Sequence, residues 1–152
     1  MPDSHSDLVL LIDAMARLHG RLRSAFAPAR EGSSLSEMEH TVLSAVTEAQ
    51  TPPTVAQIGR SLGHPRQVIQ RAANALVDAG LIAFADNPEH KRAQLLVPTA
   101  AGSVMQTQAN GRAEAIAARL LLSVDRQQVR KANALLGTIR SAIERHEKEA
   151  GE

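Results

Sequence analysis

Residues 54–97 read TVAQIGRSLGHPRQVIQRAANALVDAGLIAFADNPEHKRAQLLV, and this stretch decides the fold. Thr54, with Gln57 three residues on, forms a capping box for a short helix. Ile58 and Leu62 give that helix an apolar stripe, and Gly63 stops it. Pro65 suits the first position of a second helix, where its missing N–H costs nothing. Val68, Ile69, Ala72, Leu76 and Ala79 recur at helical spacing and mark the side expected to be buried, and Gly80 closes the helix. Leu81–Ala85 and Ala93–Val97 then read as strands around an Asp86–Arg92 tip that carries the turn signal Asn87-Pro88. Two short helices about a tight turn, followed by a hairpin, are the pattern of a winged helix-turn-helix.

Working outward, the pattern acquires a family likeness. Leu62-Gly63, Arg71, Leu76, Gly80-Leu81-Ile82, the wing Asn87-Pro88-Glu89-His90-Lys91-Arg92 and the following Pro98-Thr99-Ala100-Ala101-Gly102 stand in order and without gaps. This arrangement resembles the multiple antibiotic resistance regulator (MarR) family of bacterial transcription factors, over nearly the whole chain. The resemblance implies a mainly α fold. A winged helix-turn-helix region (35–98) would lie between an N-terminal dimerisation helix (1–30) and a long helix with a C-terminal dimerisation helix (99–152), all forming one intertwined domain.

Composition agrees with a helical chain. Of 152 residues, 43% are hydrophobic but only 1% aromatic, and much of the apolar share is alanine. Alanine favours helix and buries little area, so a substantial part of the core is expected to come from dimerisation. Net charge is +1, which by itself announces no nucleic-acid partner. Its distribution says more: Arg60, Arg66 and Arg71 fall between Arg60 and Asn74 with no acidic residue among them, and Lys91-Arg92 forms a second basic point. The chain has no cysteine, so disulfides, zinc-thiolate sites and thiol switches are excluded. MPDSHSD is neither a secretory nor a transit signal, and Leu8–Ile12 is too short to span a membrane. A soluble cytoplasmic protein is the expectation.

Met1–Ser6 is expected to fray. From Asp7 to Phe26 a helix places Leu8, Leu11, Met15, Leu18 and Leu22 at spacings of three and four, and Leu10 and Ile12 broaden the stripe. Either an ordinary core helix or a dimerisation helix fits that stripe; the resemblance favours the dimer. Ser36 with Glu39 makes a capping box for a helix to Ala49, with Val42, Leu43 and Val46 as its core residues. Thr51-Pro52-Pro53 breaks the chain before the winged region. Thr99 is expected to cap a helix running to Leu122, with Gly111 marking a bend, a close crossing or a tolerated glycine. Ser123 is expected to cap the last helix, where Val129, Ala132, Leu136, Ile139 and Ile143 form a second apolar seam before a charged tail, Glu147–Glu152.

The second helix of the motif carries the chemistry a duplex reader needs. Arg66, Gln67 and Gln70 are expected on its exposed face; glutamine can bond adenine bidentately and arginine can bond guanine the same way. By the resemblance, Arg71 would contact DNA backbone or base, and Arg92, with Lys91 beside it, would anchor the wing in a minor groove or on phosphate. Two departures from the family pattern stand out. His90 occupies a place often held by an aspartate that steadies the wing arginine, and Pro65 one often held by a capping serine or threonine. Two recognition helices about a two-fold axis would enter major grooves about 10 bp apart, so the partner is expected to be a near-palindromic double-stranded operator. The resemblance further implies small-molecule control, with Met15, His19, Met38, Thr41 and Met105 as candidate lining residues.

An enzyme finds little support. The histidines, His5, His19, His40, His64, His90 and His146, show no metal-ligand spacing such as H-x-x-x-H. Glu37-x-x-His40 has the spacing of half a di-iron site but lacks a second copy and reads as a surface pair. No phosphate loop, G-x-S-x-G or dinucleotide fingerprint occurs, so neither cofactor nor metal is expected. The alternative to a DNA-binding regulator is a winged-helix protein-interaction module without specific DNA binding, which a net charge near zero leaves open.

Overall fold

The computed structural model describes residues 4–150. Its elements are α1 (Ser4–Phe26), a 3-10 turn (Ala27–Arg30), α2 (Glu37–Thr47), α3 (Val55–Leu62), α4 (Arg66–Asp78), β1 (Ile82–Ala85), β2 (Leu95–Pro98), α5 (Ala100–Leu120) and α6 (Arg126–Ala150). The outer parts of the expected frayed start and charged tail, residues 1–3 and 151–152, lie outside the described residues. The chain divides into two units, Met1–Ala113 and Glu114–Glu152. Among the described residues, no helix is long and apolar enough to cross a membrane.

The local start signals operate as the sequence predicts. Ser36 Oγ accepts the Glu39 N–H at 3.2 Å while Glu39 Oε2 accepts the Ser36 N–H at 2.9 Å. Thr54 and Gln57 repeat the exchange at 3.2 and 2.8 Å. Two expected caps move. Pro65 is the N-cap of α4 rather than its first helical residue, and no side chain caps that helix. Asp125, not Ser123, opens α6: its Oδ1 accepts the Gln127 N–H at 2.7 Å. The chain between α5 and α6 turns at residues 121–124, which leaves Asp125 directly before the first helical residue, at the N-cap position.

The winged region has its own core. Val42, Leu43 and Val46 of α2 join Val55 and Ile58 of α3, Ile69, Ala72, Ala73 and Leu76 of α4, and Leu81, Ile82 and Leu96. This corrects the reading of α4: Val68 and Ala79 are exposed, and Ile69 and Ala73 share the inner face with Ala72 and Leu76. Both stripes have helical spacing, and the positions of α2 and α3 select between them.

The strands begin later than expected. Ile82 stands opposite Pro98 and Ala85 opposite Leu95, antiparallel. Leu96 donates its N–H to the Pro53 carbonyl at 2.8 Å, and Thr54 bridges to Leu95, so the hairpin is stitched to the segment that starts α3. A latch lies where β2 passes into α5. Thr99 donates its N–H to the Leu81 carbonyl at 3.0 Å and its Oγ1–H to the Gly80 carbonyl at 2.7 Å. The same Oγ1 accepts the Gly102 N–H at 3.1 Å, capping α5. A Cβ at Gly102 would fall 1.9 Å from the Leu81 oxygen, so only glycine permits this approach.

Two glycines in α5 should therefore respond oppositely to alanine. Gly102→Ala is expected to destabilise by roughly 1–3 kcal/mol through overpacking. Gly111→Ala, where a Cβ would meet nothing within 4 Å, is expected to stabilise by up to about 1 kcal/mol. Urea titrations at one protein concentration will show whether the midpoints move in opposite directions.

Candidate nucleic-acid interface

The position of α4 is set by the turn before it. His64 donates its N–H to the Gly59 carbonyl at 2.9 Å, and a Cβ at Gly59 would come within 2.9 Å of the His64 oxygen. A bulkier residue in α3 would push the turn away and shift α4 with it. Held there, α4 turns Arg66, Gln67, Arg71 and Asn74 to solvent, with Gln70 half-buried.

The polar side chains of α4 form two rows. Arg66 and Gln70 face the wing and line a hollow of about 100 Å³ with Thr54, Val55 and Ala56 at the start of α3, Phe84 of β1, and Arg92, Ala93 and Gln94. Gln67 and Arg71, the next row round the helix, line a hollow of about 290 Å³ with Ser36, Met38 and Glu39 at the start of α2, and with Val68 and Ala72. The sequence placed Arg66, Gln67 and Gln70 on one face; the helix distributes them over two flanks. Lys91 is exposed at the wing tip. Val68, 39% exposed, is an apolar group on this polar surface.

The charges of this surface are uncommitted. Among the described residues, ion pairs join Arg17 to Asp13, Arg23 and Arg30 to Glu37, and Arg140 to Glu144. None involves Arg60, Arg66, Arg71, Lys91 or Arg92. Glu39, the carboxylate beside Arg71, is occupied by the Ser36 N–H.

The wing tip is shaped by an amide. Asn87 Nδ2 donates to the Ala93 carbonyl at 2.8 Å, and Asn87 Oδ1 accepts the Glu89 N–H at 3.0 Å. The His90 N–H reaches the Asn87 carbonyl at 3.3 Å, and the Ala93 N–H reaches the His90 carbonyl at 3.1 Å. The tip thus closes without an aspartate at position 90. Asn87-Pro88 signalled a turn in the sequence, but the partner across the tip is six residues away and had no local signature.

This geometry can be compared with known proteins. A family model described as the MarR family matches residues 33–93. An uncharacterised protein of Mycobacterium tuberculosis is 35% identical over 121 residues, which is 78% of this chain and 82% of that protein. The chain belongs to the MarR family. It is a DNA-binding transcriptional regulator and not an enzyme. Solved structures share the fold. A MarR-family transcriptional regulator from a Rhodococcus species superposes with a TM-score of 0.75 at 19% identity, covering 92% of this chain and 96% of that one. CouR from Rhodococcus jostii, solved bound to p-coumaroyl-CoA, gives 0.73 at 20% identity over 84% of this chain and 89% of its own.

The candidate lining residues of this MarR-family chain differ in exposure. Met15 and His19 are exposed on α1, while Met38 and Met105 are half-buried against the core of the winged region. The Thr41 hydroxyl donates to the Glu37 carbonyl of its own helix at 2.9 Å. Among the described residues, no cluster of three or more His, Asp or Glu side chains could hold a metal ion.

His40, read from sequence as half of a surface pair, is instead only 8% exposed, and its Nε2 has no hydrogen-bond partner among the described residues. Glu37 pairs with Arg23 and Arg30. Arg112 of α5 donates its Nε–H to the buried Ala29 carbonyl at 2.9 Å, linking α5 to the 3-10 turn. Burial pushes the His40 imidazole below its ordinary value, and the Arg30 and Arg112 charges push the same way, against Glu39. The unfolded chain therefore takes up this proton at a higher pH than the folded chain. His40 contributes stability above pH 6.5 that is lost as pH falls from there toward its lowered folded value. His40→Gln should flatten this part of the stability–pH curve, and urea midpoints measured at and below pH 6.5 for both proteins will check it.

Proposed function

We propose that this protein is a ligand-responsive repressor that binds a near-palindromic operator as a homodimer. The observation that carries the reading is the shared hollow of Arg66, Gln70 and Arg92, which joins the recognition helix to the wing with no ion-pair partner for either arginine among the described residues. Arg66, Gln67, Gln70 and Arg71 take the major groove and its flanking phosphates. Arg92 and Lys91 take the minor groove or backbone at the wing. The uncapped start of α4 adds N–H groups that favour a phosphate.

Dimerisation is supported by each terminal helix separately. Leu8, Ile12, Met15, Leu18 and Leu22 of α1 are all 44% exposed or more. No residue of α6 is buried, although Val129, Ala132, Leu136, Ile139 and Ile143 follow a seam spacing. Rows of this length left in water favour a second copy as cover. Met15, His19, Met38, Thr41 and Met105 remain the candidate effector contacts. Small aromatic acids or their thioesters are the ligand class, since CouR was solved with p-coumaroyl-CoA.

A mobility-shift assay with DNA around the protein's own coding region tests the reading; retention that survives competitor DNA is expected, and binding that competitor abolishes at every site would refute it. Arg92→Ala is expected to weaken binding across many sequences and to lower the salt slope by about one per arginine removed. Arg130→Ala on α6 should leave the slope unchanged. In thermal-shift measurements, p-coumaroyl-CoA or a phenolic acid at a hundred times its dissociation constant should stabilise by roughly 2.7 kcal/mol.

A further inference from the structure

Asn74 lies one turn beyond Gln70 on α4. Gln70 Nε2 donates to Asn74 Oδ1 at 3.0 Å. On its other side Gln70 meets the hollow shared with Phe84 and Arg92. The glutamine amide is thus walled by the wing on one flank and held by Asn74 on the other. Asn74 itself is exposed.

An amide reads adenine through its oxygen and one N–H, which match the N6 donor and N7 acceptor of the base. Glutamine has a second N–H left over. That surplus hydrogen is what a bond to Asn74 consumes, so the acceptor–donor edge stays available. The bond also sets which way the amide faces and removes side-chain freedom before DNA arrives. The free Asn74 Nδ2 adds donors beside the same edge.

We infer that Asn74 is a specificity-positioning residue, which orients the Gln70 amide so that the pair reads one A·T base pair in the major groove. This rests on the DNA-binding reading above. An ordinary pair at this spacing stabilises a helix slightly and would leave base choice untouched.

The test selects bound duplexes from a randomised library with the wild-type protein, Gln70→Ala, Asn74→Ala and Asn74→Asp. Wild type should enrich an adenine at one position in each half-site. Gln70→Ala should lose that preference roughly tenfold, the loss of one bidentate contact. Asn74→Ala should relax the same position, with the rest of the operator preserved. Asn74→Asp keeps the accepting oxygen, so the adenine preference should persist while affinity for all sequences falls from the added negative charge. The inference is overturned if Asn74→Ala leaves the Gln70-dependent preference intact, or alters a different position. It is also overturned if Gln70→Ala changes no preference although wild type enriches a clear operator. Should wild type enrich no sequence at all, the operator reading fails together with it. Asn74 is exposed and Gln70 half-buried, and matching thermal midpoints among the variants will separate a lost preference from a lost fold.

Discussion

The latch at Thr99 is the constraint on which the winged region depends. One residue closes the end of α4, the start of β1 and the start of α5 through two carbonyls and one N–H. Those carbonyls belong to exposed Gly80 and buried Leu81, and an unpaired polar group at the buried residue would be costly. The close approach of Leu81 to Gly102 makes the contact a tight fit and fixes the direction in which the hairpin leaves the recognition helix. The bond from Leu96 to Pro53 fixes its other edge against the start of α3. A hairpin of two short strands is marginal alone, and these outside bonds hold the wing in place.

What could be read from the sequence was whatever is settled within a few residues. Both capping boxes, the stop at Gly63, the cap at Thr99 and the order helix–turn–helix–hairpin have their partners close by in the chain. Two helix starts differ locally, at Pro65 and Ser123; the other differences arise where distant segments decide. Val68 and Ala73 lie on stripes of equally good helical spacing, and only α2 and α3 choose which is covered. Strand limits shift because register depends on the Pro53 and Thr54 edge. His40 follows a capping box and reads as a polar surface residue, yet it lies within reach of the charges of Arg30 and Arg112 and is enclosed. The residue types of the interface were visible in sequence. Their division into two flanks was not, because it needs the wing and α2 in place.

The interface keeps its cations free by shaping itself with neutral groups. Asn87 closes the wing tip and Asn74 braces Gln70, while Glu39 is occupied by its own helix start. A carboxylate at either amide position would draw on the nearby guanidinium groups and reduce the positive field offered to a polyanion. The modest net charge of +1 is therefore no measure of what this surface can attract, because Arg66, Arg71, Lys91 and Arg92 enter no ion pair among the described residues.

The two-flank arrangement of α4 has an evolutionary consequence. Arg66 and Gln70 are buttressed by the wing, whereas Gln67 and Arg71 are buttressed by the start of α2. Substitutions along one flank change its own neighbours and leave the other flank's support untouched. On the DNA-reading roles proposed for these side chains, a duplicated gene could thus revise part of its target sequence while retaining the remainder, and drift toward new promoters by successive small changes instead of one simultaneous redesign.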